Sequence, residues 1–436
     1  MICPIDFRYG REEMKSIFTR ERKFQMMLDV EVALAHSHLL LGDMKDEEYR
    51  DIEAAKSRVT IERADEIERE IKHDVMAMVR AFSEVCGKGG GFIHLGATSN
   101  DITDTATALQ FKEGISLIEA DIRSLTGSLS DKAEENARTL CAARTHGQIA
   151  LPTTFGYKMT TFGYEFMRHM KRLQECQRRV CVGKMMGAVG TGASFGENAI
   201  QIERETMKKL GLESDEAPTQ IVGRDRYVEL ISLLAGIATS AEKLATEIRN
   251  LQRMEIGEVS EPFDEEKQVG SSTMAQKRNP MTCENICGLA RVVRGFLTPT
   301  HESAILWHER DLTNSSAERF IIPHCFILVD DMITKLDYVI SNMHIDKERM
   351  IRNLELGGKA MMSESLMMAL TRRGMSRQKA HELIRKASMK DFDSIRKNEE
   401  VRELLTEKEI DNALDYRSYI GVAVEKTERF VKEVRG

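Results

Sequence analysis

The sequence predicts an all-α protein, with three helical domains and long antiparallel helices forming a central bundle. The composition favours helices, since the 436 residues contain only seven prolines and many Leu, Met, Ala, Glu, Lys and Arg. Apolar residues also recur every three or four positions along several long segments, which is the spacing of one helix face. No strand-rich segment, internal repeat or low-complexity tract interrupts this pattern.

The first predicted domain spans residues 1–93. Its helices are expected at 21–41, 46–57 and 61–85. Gly42 ends the first helix, because glycine readily adopts the left-handed conformation that closes helices. The third helix has a continuous apolar face, with His73 and Asp74 expected in its middle. A glycine cluster at 87–91 ends the domain.

The second predicted domain, residues 94–351, contains the bundle. Its helices are expected at 102–138, 157–182, 224–256, 282–297 and 317–343. The helix at 224–256 would be about 50 Å long at 1.5 Å per residue. Its first half is apolar nearly all round, so it must be buried on several sides, and a bundle with apolar surface left over is expected to pair with copies of itself. Residues 352–436 form a small helical third domain.

Composition excludes several classes of partner. The net charge is −7, and no long run of Lys or Arg is present, which argues against nucleic acid and anionic membranes as partners. No apolar run is long enough to span a membrane, and the N-terminus lacks a signal pattern. The eight cysteines include no C-x-x-C pair, which predicts reduced thiols in a cytoplasmic protein. No histidine spacing or glycine motif indicates a metal or cofactor.

The stretch at 270–285, GSSTMAQKRNPMTCEN, breaks the helical pattern with hydroxyl and cationic side chains. Asn279 and Pro280 are an N-cap residue and a proline at the first helical position. The loop should therefore deliver its last residues to a helix N-terminus, which is a natural site for a carboxylate or phosphate. The alternative is a surface loop with a good cap.

Two further breaks precede it. His94 is followed by Thr98 and Asp101, which form a capping-box pattern, so a capped helix start with a structural histidine is the alternative to a site. The second break, CAARTHGQIALPTTFG at 141–156, places His146 between polar and glycine neighbours. Because the pKa of histidine lies near 7, His146 is a candidate acid–base group.

A fourth break lies at 310–319, RDLTNSSAER. Arg310 and Arg319 bracket a capping-box pattern formed by Ser315 and Glu318. Two guanidinium groups beside a capped helix N-terminus suit a phosphate, and a solvated charged turn is the alternative. A helical chain without a cofactor motif but with such polar breaks indicates unassisted acid–base chemistry on an anionic substrate.

The stretch GSSTMAQKRNP closely resembles the signature of the fumarase/aspartase superfamily, usually written GSSxMPxKxNP. Within that superfamily the remaining breaks resemble the adenylosuccinate lyase family. The strings are IKHDV at 71–75, HLGATSND at 94–101, RTHGQIALPTTFG at 144–156, TQIVGRDR at 219–226 and WHERDLTNSSAER at 307–319. Ala275 departs from the pattern, because the superfamily usually has proline there, and it should leave the loop more backbone freedom.

The resemblance implies a homotetrameric helical bundle that needs no cofactor. The implied reaction is β-elimination of fumarate from adenylosuccinate, which gives AMP, and from the succinylated aminoimidazole carboxamide ribotide of purine synthesis. The family builds each active site from three subunits. The implied partners are therefore a small-molecule nucleotide and further copies of this chain.

The resemblance also implies roles for particular residues. Ser271 would be the base, His146 the general acid with Glu284 as its orienting partner, and Lys277 would stabilise the serine anion. Lys277 and Asn279 would grip the fumaryl carboxylates, helped by Thr98 and Ser99. The other matched active-site positions are His73, Asp74, His94 and Gln220. The positions implied for the nucleotide and its phosphate are Arg8, Tyr9, Arg310, Ser315 and Arg319.

Two alternatives remain open. A sister lyase acting on argininosuccinate or a carboxymuconate would have the same loop, but neither substrate carries the phosphate that Arg310, Ser315 and Arg319 suit. A non-catalytic scaffolding bundle would keep the fold and should have lost polar residues such as Ser271 and His146, which are both present.

Overall fold

The computed structural model describes residues 2–264, 273–274 and 276–436, and helices dominate it. The first helices are α1 (Glu12–Ile17), α2 (Arg20–Leu41), α3 (Asp46–Ala55), α4 (Ile61–Ile71) and α5 (Asp74–Val85). The next are α6 (Ser99–Glu135), α7 (Phe155–Val180), α8 (Ala199–Leu210), α9 (Asp225–Leu251), α10 (Met281–Gly295), α11 (Leu297–Glu302) and α12 (Thr313–Asn342). The last are α13 (Lys347–Glu355), α14 (Ser363–Arg372), α15 (Arg377–Lys390), α16 (Glu399–Leu404), α17 (Glu407–Leu414) and α18 (Ala423–Arg435). The predicted all-α fold class is confirmed.

Strands are short in the described part of the chain. They form three two-stranded sheets, which pair β1 (Leu140–Thr145) with β2 (Gln148–Thr154), β3 (Val182–Gly183) with β4 (Glu213–Ser214), and β5 (Val259–Ser260) with β6 (His344–Ile345). The β3–β4 pair is parallel and the other two are antiparallel. The sequence pattern predicted none of these pairs.

The expected single helix at 61–85 is wrong, because the chain breaks between α4 and α5. Lys72 closes α4 in the left-handed conformation, with φ of 57°, and its N–H donates to the Glu68 carbonyl. His73 then caps α5, since its Nδ1 accepts from the Met76 N–H at 3.3 Å. His73 and Asp74 therefore lie at a helix junction. The apolar spacing runs on through both helices, so side-chain periodicity could not reveal the break.

The break predicted at 141–156 is a β-hairpin. Its strands β1 and β2 are joined by a two-residue turn, His146–Gly147. Both residues have positive φ, 55° and 75°, as a type I′ hairpin turn requires. Asn-Gly is the usual signal for this turn, and histidine in its place concealed the hairpin.

The described chain divides into two compact units. Unit 1 comprises Met1–Ile122, Arg168–Ala241 and Gly288–Thr334. Unit 2 comprises Arg123–Met167, Glu242–Cys287 and Lys335–Gly436. The units gather pieces distant in sequence because the long helices contribute residues to both. The three-domain division drawn from the sequence stays a prediction.

Unit 1 has an aromatic core where α6, α9 and α12 meet. The Phe111 ring lies 5.0 Å from the ring of Tyr227 and 6.0 Å from that of Phe326, measured between centroids. Gly114, one turn after Phe111, lets α12 approach, because a Cβ there would lie 2.8 Å from the Phe326 ring. The core lies at the start of α9 and about three to four turns beyond the starts of α6 and α12.

Unit 2 contains the C-terminal helices. Helices α14 to α17 share an apolar core that includes Leu366, Ile384, Val401 and Ile410. Helix α18 packs on α7 through Phe430, which is fully buried. A Cβ on Gly163 of α7 would lie 2.1 Å from the Phe430 ring, so this contact requires glycine.

The long helices bury the apolar faces that the sequence predicts. On α6 the stripe Ile115, Ile118, Ile122, Leu125 and Leu129 is fully buried. On α9, Leu230 and Ile237 are fully buried although they lie opposite the main stripe. The expectation that the first half of this helix is covered on several sides is therefore confirmed for both residues.

Candidate active site

Strained backbone marks the segments that carry the resemblance. Among the described residues, four that are not glycine have positive φ: Lys72, His94, His146 and His308. Each lies inside one of the quoted strings, at 71–75, 94–101, 144–156 and 307–319. Left-handed conformations cost energy for side chains with a Cβ, and they cluster at functional sites in proteins. The strain therefore points to these four breaks.

Arg310 connects two other quoted strings of unit 1, at 94–101 and 219–226. Its Nη1 donates to the Asn100 Oδ1 at 2.5 Å and to the Gln220 Oε1 at 3.0 Å. Both acceptors are neutral amide oxygens, so these bonds orient the guanidinium without neutralising it. The Nε of Arg310 is buried and has no hydrogen-bond partner within the described chain. Arg310 therefore offers a fixed cation with unused donors, as an anionic ligand needs.

A buried ion network lies beneath Arg310. The guanidinium of Arg224 binds Asp104 with two bonds, of 2.8 and 3.0 Å, and Glu318 through Nε at 2.7 Å. Asp104 also accepts from the Asn100 amide at 3.2 Å, which connects the network to Arg310. Burial alone would raise the pKa of Asp104, but the Arg224 charge and hydrogen bonds hold it below its ordinary value. The network fixes the start of α6 to that of α12.

Asp74 and Arg319 meet at the exposed edge of this cluster. The Nη2 of Arg319 lies 3.5 Å from the Asp74 Oδ2, and both side chains are more than half exposed. His73 lies beside them, with its Nδ1 3.7 Å from the Asp74 Oδ1. Lys23 of α2 faces the same charges, and burial lowers its pKa. The structure therefore gathers predicted residues from three separate strings, at 71–75, 219–226 and 307–319.

His94 lies on the loop before α6 and is mostly buried. Its Nδ1 bonds to the Glu31 Oε1 at 2.7 Å, and its backbone N–H donates to the Glu31 Oε2 at 2.9 Å. Burial lowers the pKa of His94, but the hydrogen bond to Glu31 and the charges of Glu31 and Asp101 outweigh it, so the pKa is raised. A raised pKa favours the cationic imidazolium.

The start of α6 is held by Asp101. Half of the predicted capping box forms, because the Thr98 N–H donates to the Asp101 Oδ2 at 2.8 Å. Asp101 also pairs with Lys184, and both side chains are fully buried. It further accepts the backbone N–H groups of Met186 and Gly187 at 3.1 and 3.0 Å. These bonds join the loop that carries Thr98 and Ser99 to the glycine-rich segment after α7.

Ser315 does not cap α12. That helix begins at Thr313, and the Thr313 N–H donates to Asp311, so Ser315 lies within the first turn. Glu318 is engaged by Arg224 and Asn314 instead of closing a capping box. The predicted capping box is therefore wrong, although Ser315 stays one turn before Arg319.

Arg8 and Tyr9 lie in an irregular N-terminal segment of unit 1. Their backbone N–H groups donate to the Pro4 carbonyl, at 2.8 and 3.2 Å. Gly10 follows with φ of 85°, and a Cβ there would lie 2.3 Å from the Ile327 Cγ2 on α12. The segment is therefore seated on the helix that carries Arg319.

In unit 2 the hairpin presents His146 at its exposed tip. Strand β1 is anchored by Arg144, which forms bonds of 3.1 and 2.5 Å with the fully buried carboxylate of Glu258. Asn353 of α13 donates to the same carboxylate at 2.8 Å. The tip is therefore exposed on a rigid base, as a proton-transfer group requires.

The signature segment leads into α10. The predicted helix start is correct to within one residue, because the Pro280 carbonyl accepts the first helical bond, from the Glu284 N–H. The first-turn amides are not free for a substrate, however. Those of Thr282 and Cys283 donate to the two oxygens of Glu261 at 3.1 and 2.6 Å. The predicted anion site at these amides is wrong, since a side chain of the chain itself caps the helix.

The side chains of Lys277 and Glu284 are exposed, and Asn279 is half-buried. Glu284 lies 4.0 Å from Arg249 on α9. Across the described residues, no hydrogen bond joins His146 to Glu284, so one chain does not form the predicted acid–carboxylate pair. Ser271 and Ala275, the predicted base and the departure from the signature, lie outside the described residues.

The sequence patterns did not single out several residues that hold the candidate site together. Arg224 lies inside a quoted string and Asp104 lies three residues beyond another, and charged residues at a motif are a usable signal. Glu31 gives a weaker signal, as a charge in a nearly apolar part of α2. Lys23 gives none, because a lysine in the first turn of a helix is ordinary.

Comparison with known families classifies the chain. The model of a family described as lyase matches residues 6–295, and the model of the adenylosuccinate lyase C-terminus matches residues 360–430. The first match covers more than half of the chain. The chain therefore belongs to this lyase family.

Similar proteins narrow the assignment. An adenylosuccinate lyase of Pyrococcus abyssi is 49% identical over 99% of this chain and 98% of its own length. One of Archaeoglobus fulgidus is 46% identical over 100% and 99%, and one of Helicobacter pylori 36% identical over 94% and 96%. Within the lyase family, the chain belongs with the adenylosuccinate lyases, which are carbon–nitrogen lyases.

Solved structures agree on the fold. A fumarate lyase from Mesorhizobium sp. BNC1 matches with a TM-score of 0.87 and 30% identity, covering 97% of this chain and 98% of that one. A 3-carboxy-cis,cis-muconate lactonizing enzyme from Pseudomonas putida matches with a TM-score of 0.86 and 31% identity, covering 99% and 98%. Over the described residues, no helix combines the length and apolarity needed to cross a membrane.

Proposed function

We propose that the chain converts adenylosuccinate to AMP and fumarate, and removes fumarate in the same way from the succinylated aminoimidazole carboxamide ribotide. The choice of substrate rests mainly on Arg310. This cation is part-buried, it is bonded to neutral amides, and Arg319 follows it nine residues later. A nucleotide phosphate suits these cations, and neither argininosuccinate nor a carboxymuconate has one. The full-length identity to adenylosuccinate lyases supports the same substrate.

The reaction is an elimination that needs a base and an acid. The base takes a proton from the carbon next to one succinyl carboxylate, and the electron pair is held on that carboxylate as an aci form. The carbon–nitrogen bond then breaks as the new carbon–carbon double bond of fumarate forms. The acid gives its proton to the departing nitrogen. Fixed cations close to the carboxylate stabilise the charge that develops.

Ser271 is the proposed base and His146 the proposed acid. His146 fits the role because its ring is exposed at the tip of a hairpin whose base is anchored by Arg144 and Glu258. Glu284 is the proposed carboxylate that orients the ring. Since the two are not bonded within one chain, we propose that they meet when subunits assemble.

The succinyl carboxylates are proposed to bind the side chains of Lys277 and Asn279. Because Glu261 occupies the first-turn amides of α10, these side chains must provide the binding without the helix terminus. Thr98 and Ser99 are proposed to assist from the start of α6. Gln220 accepts from Arg310, so its amide N–H groups are left to donate to the substrate.

The nucleotide is proposed to bind through the polar cluster of unit 1. Its phosphate would lie against Arg310, Ser315 and Arg319, and Arg8 and Tyr9 would contact the rest of the nucleotide. His73, Asp74 and His94 complete the proposed set of substrate contacts. The Asp74–Arg319 pair is exposed, so a phosphate can replace the carboxylate at little cost.

We propose a homotetramer in the cytoplasm, with active sites shared between subunits. Large apolar side chains between α11 and the first turns of α12 support assembly, because Ile305, Trp307, Leu312 and Phe320 are 65–78% exposed. All eight cysteines lie in described positions and none forms a disulfide, which supports a reducing compartment.

The His146→Asn variant tests the proposed acid. Asparagine is favoured in a type I′ turn beside glycine, so the hairpin should be preserved while the imidazole is removed. We expect kcat for AMP formation to fall by about 10²- to 10⁴-fold, the usual contribution of a general acid, with an unchanged Tm. His344→Asn is the matched control, since His344 is also an exposed histidine on a strand of unit 2 and lies outside every quoted string. Equal losses in both variants would refute the assignment.

A further inference from the structure

Glu31 is a buried carboxylate with an unusual pair of contacts. It lies on α2 between the buried residues Val30 and Val32, and it is 1% exposed. A carboxylate buried in this way is costly unless hydrogen bonds replace its water. Both of its oxygens bind one residue, His94, through the backbone N–H at 2.9 Å and the ring Nδ1 at 2.7 Å. The helix therefore grips a single loop residue by backbone and side chain together.

The loop is held in a conformation that it would not adopt alone. His94 has φ of 64°, which is unfavourable for a residue with a Cβ. Two turns after Glu31, the His38 Nε2 bonds to the Leu95 carbonyl at 3.1 Å, and its Nδ1 bonds to Asp43 at 2.8 Å. Side chains of α2 therefore fix two consecutive loop residues.

The bond to Glu31 determines which ring nitrogen is available. A carboxylate only accepts, so the Nδ1 of His94 must carry the hydrogen. The Nε2 has no hydrogen-bond partner among the described residues, and the side chain is 11% exposed. The one ring nitrogen left for a ligand is therefore Nε2, on the loop just before the start of α6.

The charges around the ring favour its cationic form. Glu31 contributes from α2 and Asp101 from α6, and both raise the pKa of His94 against the effect of burial. Lys184 is paired with Asp101 and reduces that contribution. His38 reaches the loop only through the carbonyl of the next residue. After burial, which lowers the pKa of His94, the Glu31 carboxylate has the largest effect on the ring.

We propose that Glu31 is a positioning residue that fixes His94 so that its Nε2–H, on a cationic ring, donates to an anionic oxygen of the substrate. The inference rests on the proposed function and adds to it a residue of α2 that the sequence did not single out. The oxygen belongs either to the phosphate or to a succinyl carboxylate. Both are anionic acceptors, and the products separate them, since AMP carries only the phosphate and fumarate only the carboxylates.

Glu31→Gln is the main variant, because it keeps the shape and one acceptor but removes the charge. We expect kcat/KM for adenylosuccinate to fall about tenfold or more, the scale for losing a carboxylate that orients a histidine. Activity that needs the imidazolium is lost as the pH rises through the pKa of His94. The alkaline limb of the pH–rate profile should therefore move to lower pH. Glu31→Asp keeps the charge and should restore the limb towards its original position.

Glu203→Gln is the matched control. Glu203 is also a buried glutamate of unit 1, and it accepts the Met185 N–H at 3.0 Å without touching a histidine. Its substitution should leave the alkaline limb in place. His94→Gln should weaken product inhibition by AMP if the oxygen is the phosphate, or by fumarate if it is a carboxylate. Unchanged inhibition by both products would overturn the proposal.

A substrate-free measurement separates this inference from the proposed function. The Cε1–H proton resonance of His94, assigned by its loss in His94→Gln, can be titrated in the whole protein. Its midpoint should be lower in Glu31→Gln than in the unmodified chain. If the unmodified chain releases no fumarate from adenylosuccinate, the proposed function fails while the titration still reports on the pair. An unmoved midpoint and an unmoved limb in Glu31→Gln would overturn the positioning role.

Discussion

Replacing Arg224 by methionine tests the buried network that joins α6 to α12. The side chains of Arg224 and Asp104 are 4% and 5% exposed, and that of Glu318 is 15% exposed. Methionine fills much of the space but leaves two carboxylates without their cation. Removing one partner of a buried pair costs about 3–5 kcal/mol, because the remaining charge cannot be solvated. Asp104 keeps the Val222 N–H and Glu318 keeps the Asn314 amide, so the loss should stay within this range.

The cost should depend on pH. In the unmodified chain the pKa of Asp104 is lowered, so its contribution to stability is present above the ordinary aspartate pKa and is lost as the pH falls through the lower folded value. Without Arg224, burial raises the pKa of Asp104, and the carboxyl can protonate in mild acid. The difference in the free energy of unfolding between the two proteins should therefore shrink as the pH is lowered.

Arg179→Met is the matched control, because Arg179 also contacts both oxygens of a carboxylate, that of Glu229, but the two side chains are 54% and 37% exposed. Its loss should cost about 0–1 kcal/mol. Thermal unfolding at equal protein concentration should show a Tm lower by about 3–5 °C for Arg224→Met, because the entropy of unfolding of a chain this long is about 0.9 kcal/mol/K. Equal Tm values for the two variants would refute the reasoning, since burial would then have no influence on the cost.

Three further predictions follow from buried contacts. Burial and the neighbouring Asp330 raise the pKa of Asp121 to about 7, so Asp121→Asn avoids a charge that forms as the pH rises. In thermal scans its Tm relative to the unmodified chain should be higher at about pH 8 than at about pH 5, and the reverse trend would contradict this. Gly163→Ala should lower the free energy of unfolding by about 1–3 kcal/mol in denaturant, because the new methyl group meets the Phe430 ring. An unchanged midpoint would show that α7 and α18 can move apart without cost. Glu261→Ala should cost about 0.5–2 kcal/mol in the same measurement through loss of the α10 cap, whereas no loss would mean that water replaces the carboxylate.

Regular helices could be predicted because their apolar spacing is repeated many times. Helix α2 ends at Leu41 before Gly42, and α6 buries the expected stripe. The break at Lys72 and the turn at His146 depend on backbone torsion angles of single residues. These angles leave no mark on side-chain periodicity, and neither residue is the glycine or asparagine that usually signals a left-handed position.

The sequence revealed some residues of the candidate site and not others, because contacts between residues far apart in sequence leave no local pattern. Polar side chains at breaks in the helical pattern can be seen in the sequence, as Arg310 was, whereas the family resemblance alone implied Gln220. The residues that hold such side chains in place reach them through contacts between positions far apart in the sequence. Glu31 and His94 are 63 positions apart, and Arg224 and Glu318 are 94 apart. Glu261 shows the same limit, since nothing near α10 in sequence reveals that a distant carboxylate occupies its first-turn amides.

The sister lyases remain the nearest competitors for the substrate. The fumarate lyase and the muconate lactonizing enzyme share the fold at 30% and 31% identity, whereas the Pyrococcus abyssi adenylosuccinate lyase is 49% identical to this chain. Fold alone cannot separate these reactions, because the same bundle is compatible with all of them. The cations of unit 1 are the chemical difference on which the choice rests.

The most direct test is product analysis of the purified chain with adenylosuccinate, in parallel with argininosuccinate and a carboxymuconate. AMP and fumarate should form in equal amounts from adenylosuccinate, and neither of the other two substrates should be consumed. His146→Asn, measured alongside, should form far less of both products. A folded chain that releases no fumarate from adenylosuccinate, or that consumes one of the other substrates instead, would contradict the account.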